Sequence, residues 1–521
     1  VKKWLAVLSV IVVLVGATGI VLHQRSVEQT ARDRRAALAV GARFLDAWPA
    51  KDYAAMGAAT AADGSAGESF QNLENRLAAT RVVVTHGPLS ADGKQLPFHV
   101  VLGVKGLGDV AWDNHLALVK TGTGWRVAFT ASTVYPGLLN GQRLTRSQPV
   151  TSRGVLVDRH GTPIRAASAD LAANVLGSLQ ADKTGLERIY DTQLTGSSGG
   201  RVEIVDVATG SVVKVVKVVK EFPPRASQPV RTTLDLPLQR AAEAALAGVR
   251  QPASIVVVDT ATGELRAVAN LPIVGLPTAF QSEAPGSTFK VVVAAAALMN
   301  GWTPSRVVPC PATATFGGKS FKNDEPLPAM MTLTTAFARS CNTAFLTIAD
   351  GLPKGTLRTT SALFGFGRGP LLPTGAEGGD VPLPSGTTEA YADVIGQGRV
   401  VASPLLLASM SAAVASGTWR QPHLVTGSAV SVGLPSAIVG PLQQLMASVV
   451  TVGTAARAGL PAGTHGKTGT AQYGEAIPLP THAWFTGYRG SLAFCVYLQD
   501  GASGGSAAAP VAARFLRAAA S

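Results

Sequence analysis

The stretch Glu283-Ala284-Pro285-Gly286-Ser287-Thr288-Phe289-Lys290, running on into Val291-Val292-Val293-Ala294-Ala295-Ala296-Ala297-Leu298-Met299, decides the architecture. Its second half is apolar around the whole circumference of a helix, the pattern of a helix buried at a domain centre. Asn300-Gly301 closes it, because Gly readily adopts the left-handed conformation that ends helices. The pattern therefore predicts a helix beginning at Ser287, just after Pro285-Gly286. A hydroxyl at that point sits among free backbone N–H groups that favour developing negative charge. Lys290 lies three residues on, on the same face, so its amine can reach the hydroxyl. A buried ammonium tends to lose its proton, which makes Lys290 a candidate general base for a Ser287 nucleophile. Taken alone, Ser287 is equally well explained as a helix N-cap.

The short pattern is common within this chain. Ser211-Val212-Val213-Lys214 has the same spacing, but in a predicted strand, where residues three apart point to opposite faces. Lys-Thr-Gly occurs at 120–122, 183–185 and 467–469; the first falls on a hairpin tip and the second in a loop, both ordinary turns. Order is what distinguishes one set. Ser287 and Lys290 are followed by Ser340-Cys341-Asn342 and then by Lys467-Thr468-Gly469-Thr470-Ala471.

Working outward, Ser254–Asp259 and Leu265–Ala269 flank the turn Thr260-Ala261-Thr262-Gly263 as a hairpin. A late hairpin carries Lys467–Tyr473, Ala483–Tyr488 and Ser491–Leu498. Strands from both ends with helices between predict an antiparallel sheet flanked by helices, an α+β domain over 227–521. Upstream, residues 146–226 include the repeat Val-Val-Lys-Val-Val-Lys-Val-Val-Lys (212–220), whose β-branched residues predict extended chain. Phe222-Pro223-Pro224-Arg225 then reads as a linker. Residues 26–145 begin with Leu38, Ala42, Leu45 and Trp48 at helical spacing. The strands Arg81–Thr85 and Phe98–Val104 follow, then a hairpin from His115–Lys120 into Trp125–Phe129. A helix and a curved antiparallel sheet are expected there, with no cluster of catalytic residues.

At the N-terminus, Trp4 to Leu22 carries no charge and follows Lys2-Lys3. That length crosses a hydrocarbon core once, so residues 1–25 are expected to be an uncleaved membrane anchor with the large domains extracytoplasmic. Ala17 and Gly19 leave a signal-peptidase site open. Arg25, Arg32, Arg34 and Arg35 lie on the far side, but long domains translocate largely regardless of charge.

Over 521 residues, hydrophobic side chains make up 46% and charged ones 15%, enough for about three domains with substantial cores. The net charge of +13 is compatible with nucleic acid, an anionic membrane or an anionic wall polymer. No long Lys/Arg run, aromatic-interleaved basic stretch or zinc spacing occurs, so nucleic-acid binding is not supported, and no cofactor or metal is implied. The three Cys form no CxxC; Cys310 and Cys341 either pair in an oxidising compartment or stay reduced and buried like Cys495.

With these motifs in hand, the chain resembles a class B penicillin-binding protein, whose Ser-x-x-Lys, Ser-x-Asn and Lys-Thr-Gly motifs occur in this order. Ile395-Gly396-Gln397-Gly398 and Ser403-Pro404-Leu405 also read as family landmarks. Arg153–Gly161 and Gly185-Leu186-Glu187 resemble the pedestal, or dimerisation, segment (146–226). Trp125-Arg126-Val127 and Tyr135-Pro136 resemble the cone-shaped nuclear-transport-factor-like domain of some Gram-positive members (26–145).

The resemblance implies a peptidoglycan D,D-transpeptidase that also takes β-lactams. Ser287 would attack the penultimate D-alanine carbonyl of a stem peptide and Lys290 would take its proton. Ser340 would relay a proton to the leaving amine, and Asn342 would orient Lys290 and the substrate amide. Lys467, with Thr468 and Thr470 around Gly469, would bind the terminal carboxylate, and the N–H groups of Ser287 and Thr470 would form the oxyanion hole. A membrane glycosyltransferase partner is a family-level expectation. A carboxypeptidase, a β-lactam hydrolase or sensor, and a non-catalytic envelope scaffold stay open as alternatives. His465 and His482 are assigned no role.

Overall fold

The computed structural model describes residues 2–61, 64–148, 153–196, 199–207, 213–224, 226–273, 277–427, 430–476 and 478–520, without the side chains of 2–22 and Val213. These residues form two compact units, one of 1–153 with 195–227 and one of 154–194 with 228–521. The segment 146–226, which resembles a pedestal, is thus shared between them.

In the first unit, the helices Lys2–Ala47, Tyr53–Ala58 and Ser65–Leu77 precede four antiparallel strands that pair in sequence order, Ala79–His86, Gln95–Val104, Gly108–Thr121 and Gly124–Val127. The third strand alternates strictly, burying Val110, Trp112, Leu116 and Leu118 while their neighbours face solvent, the signature of a sheet with one covered face. Phe44 and Phe70 from the helices, and Trp48 just past the first of them, fill that face, with Trp48 and Phe70 ring centroids 4.4 Å apart. The buried Glu74 accepts hydrogen bonds from Trp48 Nε1 (3.0 Å) and Tyr53 Oη (2.8 Å), so no buried acceptor is stranded.

The same unit contains a three-stranded sheet of Gln142–Ser147, Gly200–Val207 and Val213–Phe222. A three-residue repeat does not fit a two-residue strand period, and two register shifts absorb the difference. Lys214, Lys217 and Lys220 consequently lie opposite Asp206, Ile204 and Val202, alternate residues of the neighbouring strand. Ser211 and Val212 of the decoy motif lie outside the described residues. Of the anchor expected over 1–25, the side chains of 2–22 also lie outside the described residues. The backbone of its apolar run is helical, and among the described residues no helix is long and apolar enough to cross a membrane.

The second unit is built on a five-stranded antiparallel sheet in the order Leu265–Leu271, Ala253–Asp259, Leu492–Leu498, Thr481–Arg489, His465–Gln472. Both faces are covered. Thr486 pairs with Cys495 and hydrogen-bonds Ser411 and Leu407 of the helix Pro404–Ser416. Phe494 pairs with Gly487, so it points the other way, and meets Phe515 of the helix Ala509–Ala518 at 6.0 Å. Residues 253–258 are accordingly buried without alternation. The helix Lys290–Met299 is buried from Lys290 through Ala297 and ends at Asn300, with Gly301 at φ +81°. Its apolar circumference is matched by protein on every side.

Candidate active site

The nucleophile turn differs in one detail from the sequence expectation. Residues Gly286–Phe289 form a 3₁₀ turn, and the α-helix begins only at Lys290. Gly286 is left-handed (φ +52°) and donates from its N–H to Gly396 O at 2.9 Å, while Thr288 Oγ1 donates to Pro285 O at 2.8 Å. With three residues per 3₁₀ turn, Ser287 and Lys290 still share a face.

Two glycines let this turn press on the sheet edge His465–Gln472. A Cβ on Gly286 would lie 2.4 Å from Thr470 O, and one on Gly469 would lie 2.7 Å from Pro285 O. Gly469 is thus a spacer beneath the nucleophile turn, and Gly396 supports that turn from the far side.

Behind the turn lies a hydrogen-bonded polar set. Lys290 Nζ donates to Asn342 Oδ1 at 2.6 Å, Ser340 O at 2.8 Å and Ser340 Oγ at 3.2 Å. Lys467 Nζ donates to Ser340 Oγ at 2.9 Å and Thr468 O at 3.0 Å. Asn342 Nδ2 is fixed by Lys322 O at 3.0 Å. Both lysines are fully buried. Burial pulls Lys290 down to about 7, against a smaller opposing pull from Asp324. Burial, helped by the charge of Lys290, holds Lys467 well below the usual lysine range, with Asp324 again opposing. Two ammonium groups on one hydroxyl repel each other, so burial and mutual repulsion both disfavour the doubly charged pair.

Ser340, the shared residue, adopts φ +58°, a left-handed conformation uncommon for a non-glycine residue and typical of functional sites.

Ser287 and Ser340 line a cleft of about 740 Å³ with Thr468 and Thr470. Ser287 is 8% exposed, and among the described residues its Oγ makes no hydrogen bond. Lys290, which shares its face, directs its hydrogens to Ser340 and Asn342. Catalytic hydrogen bonds are often completed only when substrate arrives. Lys467 and Asn342 do not line the cleft; they act on it through Ser340 and Lys290. The rim carries Asp324, a Glu325–Arg339 ion pair (2.7 Å) and Arg457.

Several contributors are invisible in the motifs. Thr454 Oγ1 lies 2.6 Å from Thr468 Oγ1, orienting the hydroxyl that faces the cleft. Asp324 and Arg457 reach the rim from loops with no motif signal. Cys310 and Cys341 are joined in a disulfide, and Cys495 is a buried free thiol. His465 stacks on Tyr488 (4.6 Å) and His482 on Tyr473 (3.9 Å), so both pack against aromatic rings.

A cleft-lining serine on a tight turn, backed by two buried lysines sharing a second serine, is the site of an active-site-serine acyltransferase. The chain belongs to the penicillin-binding protein transpeptidase family: residues 253–517 match its transpeptidase domain, and residues 36–142 match the NTF2-like N-terminal transpeptidase domain. It is 30% identical over 412 residues to the peptidoglycan D,D-transpeptidase PbpA of Mycolicibacterium smegmatis, covering 64% of this chain and 79% of that protein. It is 26% identical over 439 residues to MrdA of Salmonella typhimurium, covering 66% and 67%. The match to PbpA of Mycobacterium tuberculosis, 30% identical, spans about half of that protein, 54%, and 45% of this chain.

Among solved structures, penicillin-binding protein A from M. tuberculosis, as a ceftriaxone acyl-enzyme complex, aligns with TM-score 0.59 and 22% identity over 71% of this chain and 99% of that one. A chain of a peptidoglycan synthase complex aligns with TM-score 0.62 and 24% identity over 73% and 92%. These structural likenesses establish the shared fold.

Proposed function

We propose that the chain is a peptidoglycan D,D-transpeptidase that crosslinks stem peptides through an acyl-Ser287 intermediate and is acylated at the same residue by β-lactams. The observation that carries this reading is the convergence of Lys290, Ser340, Asn342 and Lys467 directly behind the cleft that Ser287 lines.

Neutral Lys290 takes the Ser287 proton as Oγ attacks the penultimate D-alanine carbonyl. The tetrahedral oxyanion is met by the N–H groups of Ser287 and Thr470. A single such donor lowers a barrier by roughly 3–4 kcal/mol in a protease. Collapse breaks the peptide bond; the proton returns through Ser340 to the departing D-alanine amine, leaving an ester on Ser287. An amine of a second stem peptide then attacks the ester, and Ser287 regains its proton. Thr468 and Thr470 receive the substrate's terminal carboxylate. The arriving carboxylate favours protonation of Lys467, which then supplies positive potential from behind Ser340 and Thr468.

The uncharged run Trp4–Leu22 supports a single N-terminal membrane pass with the catalytic unit outside the cytoplasm. Residues 146–226 serve as the pedestal segment, and a membrane glycosyltransferase would supply the glycan strands to be crosslinked. The deciding experiment is covalent labelling with fluorescent penicillin, wild type beside Ser287→Ala. Stable labelling of the wild type alone supports the reading, and a wild type that never labels overturns it.

A further inference from the structure

We propose that the Cys310–Cys341 disulfide is a positioning element of the acylation site, clamping Ser340 and Asn342 in the geometry that serves Lys290 and Lys467. The proposal rests on the acyl-transfer reading above. Cys341 is the middle residue of Ser340-Cys341-Asn342. The residue before it supplies a carbonyl and a hydroxyl to Lys290 and the same hydroxyl to Lys467. The residue after it supplies the amide oxygen to Lys290. Any rotation of the backbone at Cys341 therefore moves together the three acceptors of Lys290, one of which Lys467 shares.

The local backbone does not settle this arrangement alone. Ser340 is held left-handed at φ +58°, a conformation that persists only where the surroundings over-determine it. Those surroundings converge on Cys341 and the residues after it. Cys341 caps the helix Asn342–Asp350, its sulfur accepting from Ala344 N at 3.3 Å. Its disulfide partner follows the strand Val307–Pro309, which pairs with Met330–Thr332 just ahead of the helix Leu333–Ala338 that leads into Ser340. Thr343 Oγ1 donates to Pro311 O at 2.8 Å. Asn323 bridges the two segments, accepting from Thr343 N at 3.1 Å and donating to Pro311 O at 3.0 Å. The covalent bond thus fastens residues 310–323 to the motif at its centre, and polar contacts fasten it on either side. Both cysteines are fully buried.

The test uses the full chain and Cys310→Ala, which opens the disulfide and leaves every residue touching either lysine in place. Fluorescent-penicillin acylation is timed across about pH 6 to 9, well below each protein's melting temperature. The expected result is a second-order acylation rate roughly ten- to a hundredfold below wild type, together with a displaced pH profile as the surroundings of Lys290 relax. A disulfide that only adds stability would lower the melting temperature and move neither rate nor profile, and that result overturns the proposal.

Should Cys310→Ala fail to fold, folded wild type is reduced with a dithiol. The dithiol gives up two electrons and two protons to become a disulfide, leaving thiols at Cys310 and Cys341, which are counted by alkylation and mass. Acylation of the reduced species at the oxidised rate overturns the clamp, and slower acylation supports it. A wild type that does not label at all overturns the acyl-transfer reading and this role with it.

Discussion

Lys290 and Lys467 place their amine nitrogens 3.2 and 2.9 Å from one oxygen, Ser340 Oγ. One hydroxyl is therefore the junction between the lysine that follows the Ser287 turn and the lysine of the edge strand His465–Gln472.

The acylation rate should rise with pH through a limb near about 7, where Lys290 loses its proton. Lys290→Arg, which stays charged at every accessible pH, should remove the limb and lower the rate by about 10²–10⁴. Stopped-flow acylation across the pH range measures both.

Keeping Lys290 neutral while buried should cost stability. Its folded pKa is depressed to about 7, so between that pH and its unfolded value the unfolded chain binds the extra proton. Stability then rises with pH across the interval, and the penalty is complete below it. Lys290→Met should therefore melt above wild type by a margin that is largest near neutral pH and shrinks toward about pH 10. Calorimetry at the two pH values checks the sign.

Ser340→Ala removes the shared oxygen but keeps a side chain at φ +58°. Ser340→Gly removes the oxygen and the steric cost of that conformation, about 1 kcal/mol. Both variants should acylate poorly, and the glycine variant should be the more stable in denaturant titration.

Thr454→Val should leave the nucleophile intact while freeing the Thr468 hydroxyl from its 2.6 Å partner. Loss of one such hydrogen bond, worth about 1 kcal/mol, should appear as a several-fold weaker KM for a carboxylate-bearing substrate with kcat nearly unchanged. Thr454→Ser should restore it.

Gly469→Ala would bring a methyl to within 2.7 Å of both Pro285 O and Thr288 Cγ2. Relieving that overlap requires moving the edge strand away from the nucleophile turn. Destabilisation of about 1–3 kcal/mol is expected, with slower acylation measured on the folded fraction.

Much of this site was legible in residue order. Ser287, Lys290, Ser340, Asn342 and Lys467 come together because three short motifs fall on a buried helix, a helix N-terminus and a sheet edge. The apolar run 291–299 announced its central position. The 3₁₀ turn at Gly286–Phe289 was not legible, because it follows from the approach of Gly286 to Thr470 and Gly396, a tertiary effect. Thr454 carries no motif, and its role exists only through the strand opposite. Lys467 alone would have passed for a solvated strand charge, whereas it is fully buried. The sharing of 146–226 between two units is not legible in the sequence, because strand propensity says nothing about which sheet a strand joins.

The order of the five-stranded sheet also sets a timetable. Ala253–Asp259 takes the central strand Leu492–Leu498 as a neighbour, so it waits for a partner made long after it. At about 5–20 residues per second, that wait is roughly 10–50 s of synthesis. Contacts of such sequence separation form slowly. Until they close, the Ser287 turn lacks the strand against which Thr470 and Gly469 brace it. The site is thereby assembled last, from pieces made at opposite ends of the second unit.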